Sequence, residues 1–283
     1  MAVDTVVETL LKRDRRVVLT ILAAVTAGSW GYVLAGAGMG MSAFEMTRTS
    51  LSGSDPGGTA VGSMQLGSMG EMAMTPVAWT LGYAVLIFFM WWIMMVAMML
   101  PSASPMILLH AAVNRKPQRQ VSHRFATTAF MLGYLGVWAG FSLVATAAQW
   151  SLGRTGLLSE AMVAASALLA GFLLLAAGLY QLTPIKQACL KHCRLPAEFL
   201  ATHWRPGVRG AFRMGLAHGG YCVGCCWLLM LLLFFGGVMN LYWIAGLALF
   251  ILFEKTVPAG HWLGYGIGVL LAGLGAWTVA GAV

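Results

Sequence analysis

His218-Gly-Gly-Tyr-Cys222-Val-Gly-Cys225-Cys226-Trp227 lies inside an apolar run from 215 to 236. A run of about 20 apolar residues crosses ~30 Å of hydrocarbon as a helix, so four soft-metal donors sit in what reads as a membrane helix. His218 and Cys222 are spaced i,i+4, and Cys222 stands i,i+3 and i,i+4 from Cys225 and Cys226. One helix face therefore presents an imidazole and thiols together. Polar and ionisable groups at membrane depth are costly unless something uses them. The spacing points to a metal.

Working outward, the whole chain has the same character: 59% of its 283 residues are hydrophobic and 9% charged, and its mean hydropathy is +0.80. Globular domains carry about 25% charged residues. The expected fold is all-α, a polytopic transmembrane helix bundle forming a single integral membrane domain over 1–283. Seven crossings are read at 17–37, 79–100, 126–148, 162–182, 215–236, 241–257 and 262–281, the last two joined as a tight hairpin. A basic start before an apolar run also describes a secretory signal. The run of about 21 residues is longer than a usual signal core, so it is taken as a retained first helix.

Lys and Arg of short loops stay on the cytoplasmic side. With the N-terminus inside, the loop groups at 12–16, 115–124 and 186–213, together with Lys255, place 15 of the 17 basic residues there; only Arg48 and Arg154 fall outside. The expected orientation is N-terminus cytoplasmic and C-terminus outside, in a bacterial inner membrane. The net charge of +8 is then a product of topology; it calls for the lipid bilayer as a partner and for no nucleic acid. Two loops stand out. The outer loop 38–78 is Gly- and Ser-rich, without hydrophobic periodicity, and holds seven methionines; the inner loop 183–213 is basic, with a short amphipathic segment at Ala197 to Trp204.

That inner loop carries the other two cysteines. Cys189 and Cys193 are again spaced i,i+4, with His192 beside the second and Lys186, Lys191 and Arg194 close by. Cysteine in a basic, polar segment is seldom selected for packing alone, and the nearby cations favour the thiolate, which is the ligand form. All five cysteines map to the inner, reducing side, where thiols stay free. This weighs against disulfide exchange, the other meaning of CxxC.

On the second crossing Met90, Met94 and Met98 form an i,i+4,i+8 stripe, with Met95 and Met99 on its neighbouring edge. Buried methionines are by default adaptable core filler. A stripe continuing a methionine-rich loop suggests more, because thioethers select Cu(I). At a rise of ~1.5 Å per residue, Met94 and Met98 reach the level of Cys222 to Cys226. Pro101 is expected to kink or end this helix, and Met106 and His110 beyond it make another i,i+4 donor pair.

Three motifs together carry a family resemblance: Met94-Met-Val-Ala-Met98-Met-Leu-Pro101-Ser102; Tyr180-Gln-Leu-Thr-Pro184-Ile-Lys186 followed by Cys189 and Cys193-Arg-Leu-Pro196; and Gly219-Gly-Tyr-Cys222-Val-Gly-Cys225-Cys226-Trp227. From about 80 to 257 the chain resembles the bacterial predicted metal-binding integral membrane proteins. That resemblance implies metal binding at these positions.

The leading expectation is copper transport or delivery. Cu(I) is taken on outer-loop methionines, passed along Met90, Met94 and Met98, and held at His218, Cys222, Cys225 and Cys226, with Cys189, His192 and Cys193 as the cytoplasmic exit. A metal chaperone or a larger membrane complex is the partner this would need. The alternative is a scaffold subunit with a structural zinc or copper site, for which the inner Cys/His clusters suffice. A membrane thiol-redox protein is the third reading. No Ser-His-Asp set, phosphate loop or carboxylate pair is present, so the sequence leans away from catalysis and leaves the direction of any transport open.

Overall fold

The computed structural model describes residues 2–52, 79–114, 120–159 and 162–282. Eleven helices follow in chain order: α1 (Ala2–Leu34), α2 (Ala43–Ser52), α3 (Leu81–Val113), α4 (Gln120–Arg154), α5 (Ala167–Gln181), α6 (Pro184–Arg194), α7 (Pro196–His203), α8 (Gly207–Leu231), α9 (Leu233–Gly236), α10 (Leu241–Thr256) and α11 (Gly260–Ala280). Among the described residues there is no strand, only an isolated bridge between Leu158 and Ala164. The protein is all-α and polytopic.

Five of these helices are long and apolar enough to cross a membrane, or six if α5 and α6, bent by 65° at their junction, form one broken span. The sequence reading had seven. The difference lies in 162–182 and 241–257, which became α5 with 15 residues and α10 with 16. At ~1.5 Å per residue, α10 reaches only about 24 Å, short of the ~30 Å core.

Local signals set the helix starts. Side-chain oxygens of Thr80, Ser166, Thr183 and Asn240 accept backbone N–H bonds at the first turns of α3, α5, α6 and α10, filling donors that the helix itself leaves orphaned. The outer loop was read as unpatterned, yet Ser42 and Glu45 form a capping box that opens α2. Ser42 N and Oγ donate to Glu45 Oε2 at 2.9 and 2.8 Å, and Glu45 N returns a bond to Ser42 Oγ. These bonds, the backbone one first, hold the Glu45 carboxyl below the usual carboxylate range. The Ser-x-x-Glu signal was present in the sequence. Of the seven loop methionines, Met39, Met41 and Met46 are placed, whereas Met64, Met69, Met72 and Met74 lie outside the described residues.

Pro101 does not end α3, which runs on to Val113 through Pro101 and Pro105. A proline leaves the carbonyl four residues earlier without its helical donor. Here each is supplied from a side chain. The Trp30 indole of α1 donates to Ala97 O at 3.2 Å, and Ser104 Oγ donates to Pro101 O at 2.8 Å. At membrane depth, freed backbone groups need such replacements, and the sequence alone does not say that Trp30 is in reach.

Lipid tails are as apolar as leucine, so helices associate through close packing and interhelical hydrogen bonds. α4 lies along α8, and α5 along α11. A Cβ on Gly215 would run into the Phe130 backbone, and one on Gly178 would overlap the backbone of Ala272 and Gly268. Trp91 Nε1 donates to Gln149 Oε1 at 2.7 Å and Trp92 Nε1 to Leu135 O at 3.1 Å, tying α3 to α4. α3 packs on both α4 and α10, and α6 and α7 pack on α8 and α3 respectively.

Candidate metal centre

α8 buries all four of its donors: His218 is 2% exposed and Cys222, Cys225 and Cys226 are each 1% exposed. The thiols of Cys225 and Cys226 donate to Cys222 O at 3.1 and 2.9 Å, the bond a protonated cysteine makes when its helix offers the nearest acceptor. Cys222 points outward from α8. Its Sγ lies 3.0 Å from Lys255 Nζ of α10 and 3.2 Å from the Tyr134 hydroxyl of α4, while Lys255 Nζ also reaches Ser102 Oγ of α3 at 3.5 Å. Tyr134 OH stands 3.3 Å from Met99 O as well. Three helices thus meet at one sulfur, and α3 joins them through Lys255 and Tyr134.

α6 brings in a fifth element. The half-buried Cys193 of α6 packs against the core to which Cys222 and Cys225 belong. Cys189, one turn earlier, sits over Gly224, where a Cβ would come within 2.9 Å of its sulfur. The glycine makes room for the second thiol, and the Tyr180 hydroxyl donates to Gly224 O beside it. All five cysteines are free. The cysteines of the inner loop and those of the helix that follows it pack against one another.

The remaining expected donors are placed as follows. His192 turns away: its ring stacks on Tyr221 at 4.1 Å and 3°, and Nδ1 is bonded to Ala188 O at 2.9 Å. His218 is enclosed by the rings of Phe130, Tyr134 and Phe199 at 6.0, 5.8 and 5.3 Å, and its Nδ1 has no hydrogen-bond partner. Met90, Met94 and Met98 are all buried. A thioether outside that stripe also meets the thiols: Met99, whose Sδ is 3.9 Å from Cys226 Sγ. At about 100° per residue, Met98, Met94 and Met90 stand roughly 100°, 140° and 180° around α3 from it. His110 joins the same aromatic column, stacked on Phe130 at 4.8 Å. Among the described residues, no three His, Cys, Asp or Glu side chains already stand as a metal-holding group.

Beside the thiols lies a second buried polar group. Lys186, fully buried on α6, bonds both Glu254 of α10 and Gln181 Oε1 of α5, and Glu254 is 1% exposed. Gly264 of α11 lies directly against Glu254 Oε1, and a Cβ there would displace that carboxylate oxygen. A cleft of about 520 Å³, lined by residues including Lys191, Arg194, His261 and Tyr265, reaches Lys255 from the side of the basic loop.

Lys255, Tyr134, Ser102 and Met99 were missed as site residues. Lys255 had a signal: with Glu254 it places adjacent charges at the end of an otherwise apolar helix, which is a site marker in membranes, but it was read only as a topology charge. Nothing in the sequence distinguishes Tyr134.

Buried thiols, a thioether and a lysine form a soft, positively flanked donor pocket inside a helical membrane-type bundle. The family of copper chaperones named PpoB2 matches this chain over residues 88–278, from α3 through nearly all of α11. The protein belongs to that family. No curated protein and no solved structure matches it.

Proposed function

We propose that this protein is a membrane-embedded Cu(I) chaperone that holds its cargo on the Cys222 and Cys225 thiolates and passes it by way of Cys193 at the inner surface of a bacterial cytoplasmic membrane. The observation that carries this reading is the packing of half-buried Cys189 and Cys193, from the surface helix α6, on the core that holds Cys222, Cys225 and Cys226 of α8, with the Cys189 sulfur over Gly224. Cu(I) is satisfied by two or three soft sulfur ligands and is selected by thiolates and thioethers. A thiol shared between a buried pair and a half-buried helix supports ligand exchange between interior and surface. Cys189, half-buried one turn along α6, is the next sulfur on that path. Met99, with Met95 on the same edge of α3, supplies neutral thioethers that exchange readily; the stripe Met90, Met94 and Met98 lies further round that helix and serves as the outer approach.

Loading requires a change at α8. A thiolate has no proton to donate, so Cys225 and Cys226 must leave Cys222 O when they bind metal. The metal would supply the reason for these side chains to turn.

The test is anaerobic titration of the purified full chain in detergent with Cu(I) against a chromophoric Cu(I) chelator. The wild type should retain at least one equivalent, and Cys222→Ser with Cys225→Ser should lose it. Stoichiometric zinc with no retained Cu(I) would establish the structural-zinc alternative instead. Alkylation showing the cysteines cycling between oxidised and reduced forms in cells would establish the thiol-redox one.

A further inference from the structure

Softness alone is a weak discriminator at a thiol site, because zinc also binds cysteine. Charge is a stronger one here. Lys255 is 6% exposed, and the acceptors its Nζ reaches are Cys222 Sγ at 3.0 Å and Ser102 Oγ at 3.5 Å. Its neighbour Glu254 does not neutralise it, since Glu254 Oε1 is bonded to Lys186 Nζ in a pair that is itself balanced and buried. One positive charge therefore remains at the thiols, where an uncompensated buried charge is costly.

We infer that Lys255 is the specificity-determining residue of the centre and sets it for a monovalent cation. The inference rests on the copper reading above. Two thiolates, one Cu(I) and the Lys255 ammonium sum to zero. The same two thiolates with Zn(II) or Cd(II) are already neutral, and the ammonium then stands unbalanced inside the bundle. Lys255 attracts the anionic copper bis-thiolate and has nothing to attract in the neutral zinc one. It acts through charge and is not itself a ligand. Ser102, held by its own bond to Met99 O at 2.9 Å, and the turn of α10 fix the ammonium where this discrimination operates.

The experiment measures Cu(I) affinity and Cd(II) affinity in parallel on the full chain in detergent, with Ag(I) as a second monovalent probe. The variants are Lys255→Met, Lys255→Gln and Lys255→Arg. Removing the charge should lower Cu(I) and Ag(I) affinity by about 100-fold, the order expected for one unit charge a few ångströms away, while Cd(II) affinity is unchanged. Lys255→Arg should restore the wild-type ratio. Equal losses for monovalent and divalent ions would show that Lys255 only supports the fold, and an unchanged ratio in both neutral variants would equally overturn the inference. A wild type that retains no Cu(I) would instead remove the reading on which it rests.

Discussion

Glu254→Gln is the sharpest test of how this bundle is held together beside its thiols. The substitution keeps the shape of the side chain and removes its charge, leaving the Lys186 ammonium at 0% exposure with Gln181 Oε1 as its remaining bonded acceptor of those two. Breaking a buried pair from one side costs about 3–5 kcal/mol, because the other charge stays buried without compensation. Lys186→Met should cost a similar amount, since it strands the carboxylate, whose Oε2 already lacks a partner. The double variant should recover much of that loss, because removing both charges of a buried pair is often close to neutral. Unfolding titrations of the four proteins in mixed micelles measure the cycle. A coupling of about 2 kcal/mol or more is expected. Additive losses, or single variants within about 0.5 kcal/mol of wild type, would refute the claim that the pair is desolvated and mutually dependent.

Two further outcomes follow from the same geometry. Gly178→Ala should destabilise the α5–α11 pair by about 1–3 kcal/mol, the usual range for overpacking, because its Cβ would overlap backbone atoms of Ala272 that cannot rotate away; the same unfolding titration reads this. Met99→Leu should weaken Cu(I) retention several-fold, whereas Met94→Leu, about 140° round the helix, should leave it unchanged in the chelator competition.

Much of the fold was legible because membrane helices announce themselves by length, and their ends by caps such as Thr183-Pro184. The two crossings that came out short, α5 and α10, were apolar in sequence but are cut by caps and turns at Ser166, Thr183 and Asn240. Pro101 was legible only in part, for a different reason. A proline predicts a missing bond, and only the fold reveals that Trp30, 67 residues away, supplies the replacement.

The donor face of α8 is a property of the sequence itself, since i,i+3 and i,i+4 spacing places Cys222, Cys225 and Cys226 together wherever that helix goes. So are the apolar lengths and the pairing of Cys189 with Cys193 on α6. Tertiary structure decided what those faces meet. The rotation of α3 about its axis brought Met99 to Cys226; the fold of the inner loop packed Cys189 and Cys193 on the core that holds the α8 thiols; and the last turn of α10 set Lys255 against Cys222. Helical periodicity is local and fixed by backbone geometry, whereas the rotation and approach of one helix against another depend on contacts such as Gly215 on Phe130 and Gly178 on Ala272. Those contacts lie far apart in the chain, and no single segment contains them.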